Sequence, residues 1–176
     1  AETGAVPLNQ LAEAGVGSYT VVFKPSGAPR VISGTGAANQ ALIKLNGADR
    51  IVFDGSLGNT VGGNDRSLTI TNNQTGTSTV FWIAAVNAGN AATNNTIKNC
   101  IINGVGTATA QTTAGILAGS GTTIGGAAEA PNNDNTVTNN RIYGVQNGLY
   151  NQGNVGFDQN WVVTDNEFGS AVEAEK

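Results

Sequence analysis

An all-β solenoid, in which the chain coils and lays short parallel strands one above another, is the fold class this sequence predicts, on three observations. The first is a recurring phrase: Ile70-Thr71-Asn72-Asn73, Ile97-Lys98-Asn99-Cys100, Val137-Thr138-Asn139-Asn140 and Val163-Thr164-Asp165-Asn166. Each copy starts with a β-branched residue, continues with a polar one and then turns to Asn or Asp, as a chain does when it repeats one supersecondary unit. The second is composition. Charged residues make up 11% of the chain, beside a hydrophobic fraction of 39% and 25 glycines, whereas globular domains usually carry about a quarter charged residues. Thr, Asn, Ser and Gly therefore do the solvating. The third is the presence of apolar runs, Ala41-Leu42-Ile43 and Thr79-Val80-Phe81-Trp82-Ile83, which point to an ordered interior rather than a low-complexity chain.

Taken in order, Pro7 to Gly15 reads as a short helix with Pro in its first turn and Gly at its end. Leu8 and Leu11 would give it an apolar face to cover the open end of the coil. The chain thus divides into a cap (1–18), a coil (19–170) and a charged tail (171–176). Two looser copies of the phrase, Ile32-Ser33-Gly34 and Phe53-Asp54-Gly55, extend it toward the N-terminus. The third-position residues Ser33, Asp54, Asn72, Asn99, Asn139 and Asp165 then stand 21, 18, 27, 40 and 26 residues apart. Most of these steps suit one coil of three short strands, giving about six coils. The long step carries an excursion, placed within Gly104 to Thr113 and Gly119 to Asn135, where Pro131 interrupts regular structure.

Asn and Asp suit a sharp corner because their short side chains tolerate positive φ. Stacked, their amides bond along the axis as a ladder. Asn72, Asn99, Asn139 and Asp165 are the expected ladder, Ile70, Ile97, Val137 and Val163 one interior file, and Ile142 and Phe168 members of the next strand. A β-sandwich is the alternative, because Asn46-Gly47, Asn103-Gly104 and Asn147-Gly148 are tight-turn signals. Clean alternation over matched hairpin arms is missing, which favours the coil.

A net charge of −4 and eight scattered Lys and Arg residues leave no basic face for nucleic acid or anionic membranes. No apolar run approaches the roughly 20 residues that cross a bilayer. The single cysteine, Cys100, reads as a small buried or half-buried side chain. The absence of histidine removes Ser-His-Asp and Cys-His mechanisms and disfavours a catalytic transition metal. Asp49, Asp54, Asp65, Asp134, Asp158 and Asp165 are dispersed, and Asp54 with Arg50 or Asp49 with Arg66 are the pairs that neighbouring coils could join. Tyr150, Trp161 and Tyr143 stand among amides, the setting in which aromatic faces hold neutral sugars. Thr69/Thr71 and Thr136/Thr138 would bracket inward residues on a flat Thr face, but the pattern does not continue.

The segments Ala41 to Gly55, Asn94 to Asn99, Thr122 to Gly126 and Asp134 to Asn140 resemble right-handed parallel β-helix modules of the pectin-lyase-like superfamily, in particular those of very large secreted or surface-attached bacterial proteins exported by the type IX route. The resemblance covers about Tyr19 to Gly169. It implies the fold more strongly than an activity, since lyases, hydrolases, adhesins and stalks share it. Acidic clusters holding calcium, or paired aspartates, serve the enzymatic relatives. The expectation is a non-enzymatic extracellular module, structural or adhesive, of a secreted, cell-surface or filament-forming protein, with no cofactor unless calcium. Its partners would be other segments of a longer parent protein, a second copy met end to end, or a polysaccharide. The alternative is a carbohydrate-active β-helix enzyme or carbohydrate-binding module.

Overall fold

The structure, a computed structural model, describes residues 6–58, 64–106, 111–154 and 156–169. The tail 171–176 and residues 107–110 of the expected excursion lie outside them. The chain runs through β1 (Leu8–Asn9), β2 (Val21–Phe23), β3 (Arg30–Gly34), β4 (Gln40–Asn46), β5 (Ile51–Asp54), β6 (Leu68–Asn72), β7 (Ser78–Ala85), β8 (Thr96–Lys98), β9 (Cys100–Asn103), β10 (Thr112–Ser120), β11 (Thr136–Thr138), β12 (Arg141–Tyr143), β13 (Val145–Asn151), β14 (Val162–Thr164) and β15 (Glu167–Phe168). Every third strand belongs to the same sheet. Sheet A has the order β1-β4-β7-β10-β13, sheet B β2-β5-β8-β11-β14, and sheet C β3-β6-β9-β12-β15, with parallel pairing throughout. Among the described residues the chain therefore makes five turns of three strands each, a solenoid-like all-β structure.

Like residues form files through the turns. In sheet B, Phe23, Phe53, Ile97, Val137 and Val163 stand in register, and in sheet C the file is Ile32, Ile70, Ile102, Ile142 and Phe168. Phe23 stacks on Phe53 with centroids 4.6 Å apart, and Phe53 meets Phe81 edge-on at 5.0 Å. Each fully buried Ile, Val or Phe contributes about 1.5–3 kcal/mol, so these files hold the turns together.

Alternation breaks at one place in sheet A. Val80 and Phe81 are both in the interior cluster, and Gly115 shares the strand position before Ile116 that Val80 holds before Phe81. A Cβ on Gly115 would stand 2.4 Å from Ile142 Cγ2 and 2.9 Å from the Gly148 carbonyl. Glycine is required there because the strand bends into the space that sheet C fills.

Several expectations are corrected. No helix occurs among the described residues, and the segment given to a capping helix instead supplies β1, whose Leu8 pairs with Leu45. A helix of that length is marginal alone, while the open edge of β4 offers it backbone partners. Turns number five rather than six. Ser33 and Asn72 belong to sheet C, whereas Asp54, Asn99, Asn139 and Asp165 mark the corner between sheets B and C, so the short steps were parts of a turn. A whole turn takes 30 residues from Phe23 to Phe53, 44 to Ile97, 40 to Val137 and 26 to Val163. The hairpins of the alternative β-sandwich are absent from these sheets: antiparallel bridges occur among the described residues only at Asn87–Asn90 and Gly106–Gln111. Asn46-Gly47 turns the chain from sheet A to sheet B instead, with φ of 67° at Gly47.

The Gly119–Asn135 excursion folds back over the outer surface of sheet A. Its Ile124 joins Trp82, Leu117 and Tyr150 in a second apolar cluster outside the coil, which is why both faces of β7 and β10 are buried.

Candidate functional site

Two corners recur along the coil, and residues at positive φ make the one between sheets A and B and, from the third turn on, the one between sheets B and C. Asn99, Asn139 and Asp165 take φ of 57°, 52° and 56° between sheets B and C, and Arg50, Asn94, Asp134 and Asn160 take 56°, 57°, 59° and 57° between sheets A and B. At the first corner the Asn139 amide donates to Asn99 Oδ1 at 2.8 Å, and the Asn99 amide donates to Asp54 Oδ1 at 2.8 Å. Asp54 also accepts from the Ser56 N–H and hydroxyl at 3.0 and 2.8 Å, with Lys98 at 3.4 Å and Lys24 at 3.8 Å from its other oxygen. Burial works to raise its pKa. The bonds from Asn99 and Ser56 and the Lys98 charge outweigh that and hold the carboxyl below its ordinary 3.8. Arg66 reaches from the second turn to the Asn139 carbonyl and amide oxygen, and on to Glu167 at 2.6 Å.

Of the expected ladder, Asn99 and Asn139 thus touch, Asp165 occupies the next corner with its side chain exposed, and Asn72 lies elsewhere. Asn72 is buried at the end of sheet C, donating to the Thr79 carbonyl at 2.8 Å and accepting from the Gln74 N–H at 3.0 Å.

A second set of corner amides escaped the sequence reading, at the position after the positive-φ residues Asn94, Asp134, Asn139 and Asp165. Asn95 accepts from the Ile51 N–H and donates to the Ala48 carbonyl; Asn135 accepts from Asn95 N–H and donates to the Ala92 carbonyl. At the other corner Asn140 accepts from Cys100 N–H and donates to Ile97, and Asn166 accepts from Asn140 N–H and donates to Val137. Each amide satisfies one donor and one acceptor in the turn before it, which a buried corner requires. Asn94-Asn95-Thr96-Ile97, Asp134-Asn135-Thr136-Val137 and Asn160-Trp161-Val162-Val163 carried that signal.

The three candidate sugar-contact aromatics stand on three different parts of the coil. Trp161 continues the Asn95–Asn135 file, its indole N–H donating to the Asn132 carbonyl at 2.6 Å, and it packs against the interior cluster. Tyr150 is on the outer side of sheet A, bonded to Gln152 at 2.7 Å. Tyr143 is in sheet C beside the Arg141 guanidinium, 5.1 Å from its ring centre. Above Tyr150, Lys44 lies 4.2 Å over the Trp82 ring and donates to the Gly121 carbonyl at 2.6 Å. Glu129 clasps the flap's start through the Ser120 hydroxyl and Gly121 N–H at 2.7 and 2.8 Å, and Trp82 donates to the Ser120 carbonyl at 2.9 Å. Burial pulls the Lys44 pKa down, and Glu129 opposes it.

The carboxylates are engaged one by one. Asp49 accepts from the Thr93 N–H and hydroxyl at 2.7 and 2.8 Å on the wall of a polar cavity of about 280 Å³ shared with Gln10 and Asn90. Asp65 accepts from Leu57, Gly58 and Ser67, and Asp134 from Asn160. Asp158 accepts from the Asn132 N–H at 2.9 Å, and burial pushes its pKa up. Neither of the two Asp–Arg pairs that neighbouring coils could join forms: Arg50 binds Glu13, and Arg66 binds Asn139 and Glu167. Cys100 is fully buried, its thiol pushed up to about 12 by burial and then by Asp54.

The two ends of the coil differ in shape. At the first turn, Leu8, Phe23, Ile32, Leu42, Ile43 and Phe53 line an apolar hollow of about 250 Å³. At the last, Phe168, Val162 and Val163 are exposed. Comparison with protein-family models, curated proteins and solved structures finds no match to this chain.

Proposed function

We propose that this chain is a right-handed parallel β-helix module serving as a structural or adhesive segment of a secreted or cell-surface protein, without enzymatic activity and without a resident cofactor. The resemblance stated above favours the fold, and right-handed crossovers between parallel strands are the rule in about 98% of cases. One observation carries the functional part. The Asp54–Asn99–Asn139 ladder commits its polar side chains to bonds along the axis, whereas a polysaccharide lyase or hydrolase needs acidic groups converging on one sugar. Continuation by other segments of a parent protein, or by another copy, follows from such a role.

The test is incubation with a panel of acidic and neutral polysaccharides, with and without calcium, followed by assay for reducing ends and unsaturated products. None is expected. Turnover that disappears in Asp54→Ala or Asp49→Ala overturns the proposal in favour of a carbohydrate-active enzyme.

A further inference from the structure

We propose that copies of this chain associate head to tail, with β13, β14 and β15 of one copy pairing in parallel with β1, β2 and β3 of the next. The inference rests on the reading of the chain as a structural module and names its partner.

The strand register supplies the argument. Continuing each file by one turn places Val22 of the next copy over Val162, Phe23 over Val163 and Ile32 over Phe168. Each pair is apolar on apolar, as in every step of those files inside the molecule except Thr96 and Thr136. Both ends expose apolar side chains. Phe168 is 53% exposed in the last turn, its ring lying over Gly148, while the first turn presents the hollow lined by Phe23, Ile32 and Phe53.

Charge agrees. Residues 145–169 carry Asp158, Asp165 and Glu167 and no Lys or Arg, with Glu167 held by Arg66 and Arg141, while residues 6–39 carry Lys24 and Arg30 against Glu13, which is engaged by Arg50. In the continued register Lys24 falls on the Thr164 file, beside the exposed Asp165, and Val31 on the Glu167 file. Lys24 and Lys98 already flank Asp54 from neighbouring turns in this way. Two like ends would bring acid against acid, or hollow against hollow. The interface is therefore heterologous, and it propagates unless the rotation closes a ring. Both ends present strand edges whose backbone groups such pairing would satisfy.

The experiment blocks one end at a time. Wild type should show mass rising with concentration in sedimentation velocity, with linear particles by negative-stain electron microscopy. Phe168→Asp removes the exposed apolar side chain of the last turn, and Val31→Glu, at a position 66% exposed, spoils the receiving face without touching the interior. Each variant alone should be monomeric, with wild-type circular dichroism and association weakened at least tenfold. Mixed, they should form one-to-one dimers and nothing larger, since each retains one competent end. A wild type that stays monomeric at all concentrations, a variant that still assembles alone, or a mixture that stays monomeric overturns the proposal. Polysaccharide turnover by an assembling protein would remove the structural-module reading and leave the assembly standing; a monomer without turnover would do the reverse.

Discussion

Asn139 donates its amide hydrogen to Asn99 Oδ1 across 2.8 Å and 40 residues of chain, and that contact defines what one full turn is. The same Asn99 passes its own amide to Asp54 in the turn below, so three corners are tied along the axis.

The buried corner amides carry more of the stability than the exposed last corner. Asn140→Ala would leave the Cys100 N–H and the Ile97 carbonyl without partners in a fully buried corner, and each such loss costs about 1–3 kcal/mol. Urea denaturation should show a loss of about 2–5 kcal/mol, while Asp165→Ala at the exposed last corner should stay within about 0.5 kcal/mol of wild type.

Gly115 has no room for a methyl group. Gly115→Ala should cost about 1–3 kcal/mol by overpacking, and Ile142→Val should recover part of that cost in the double variant. Coupling of this sign, measured in a double-mutant cycle, identifies the Ile142 methyl as the clash; strict additivity would place the strain elsewhere.

Two aspartates respond to acid in opposite directions. Asp54 has a folded pKa below its ordinary 3.8, so its contribution is present above that value and is lost as pH falls through the folded one. Asp158 has a pKa raised by burial, which outweighs the bonds it accepts, so its charge opposes folding at neutral pH and ceases to do so once it is protonated. Asp54→Asn should destabilise at neutral pH, and the gap should narrow below 3.8. Asp158→Asn should stabilise at neutral pH, with the gap closing as pH falls toward 3.8. Urea midpoints measured from neutral to acid pH read both signs.

The flap over sheet A is held through Glu129. In a Trp161→Phe background, where Trp82 is the only emitter, Glu129→Ala should shift its emission to the red and raise acrylamide quenching at least twofold, with the far-ultraviolet spectrum unchanged. An unaltered Trp82 would mean that apolar contacts with Ile124 and Tyr150 hold the flap unaided.

Much of the architecture was legible because corners need particular residues. Val137-Thr138-Asn139-Asn140 names an inward β-branched residue, a positive-φ Asn and a buried Asn in one phrase. Asn72 was misfiled because the end of a sheet C strand uses similar words, β-branched residue, Thr, Asn, for an Asx turn at a different corner. Leu8 reads equally as the start of a helix, and only the nearby edge of β4 decides for a strand. The outer cluster was beyond reach: Trp82 is buried by a loop about forty residues downstream, and no local pattern announces that. The aromatic candidates were chosen by their amide neighbours, which for Trp161 mark its place in a corner file.

Backbone nuclear Overhauser effects between turns test the central claim most directly. Stacked parallel turns predict Hα-to-amide contacts that link Ile97 with Val137, Val137 with Val163, and Ile70 with Ile102. Hα-to-Hα contacts across Asn46-Gly47 or Asn103-Gly104, the mark of antiparallel hairpins, in place of those would contradict it.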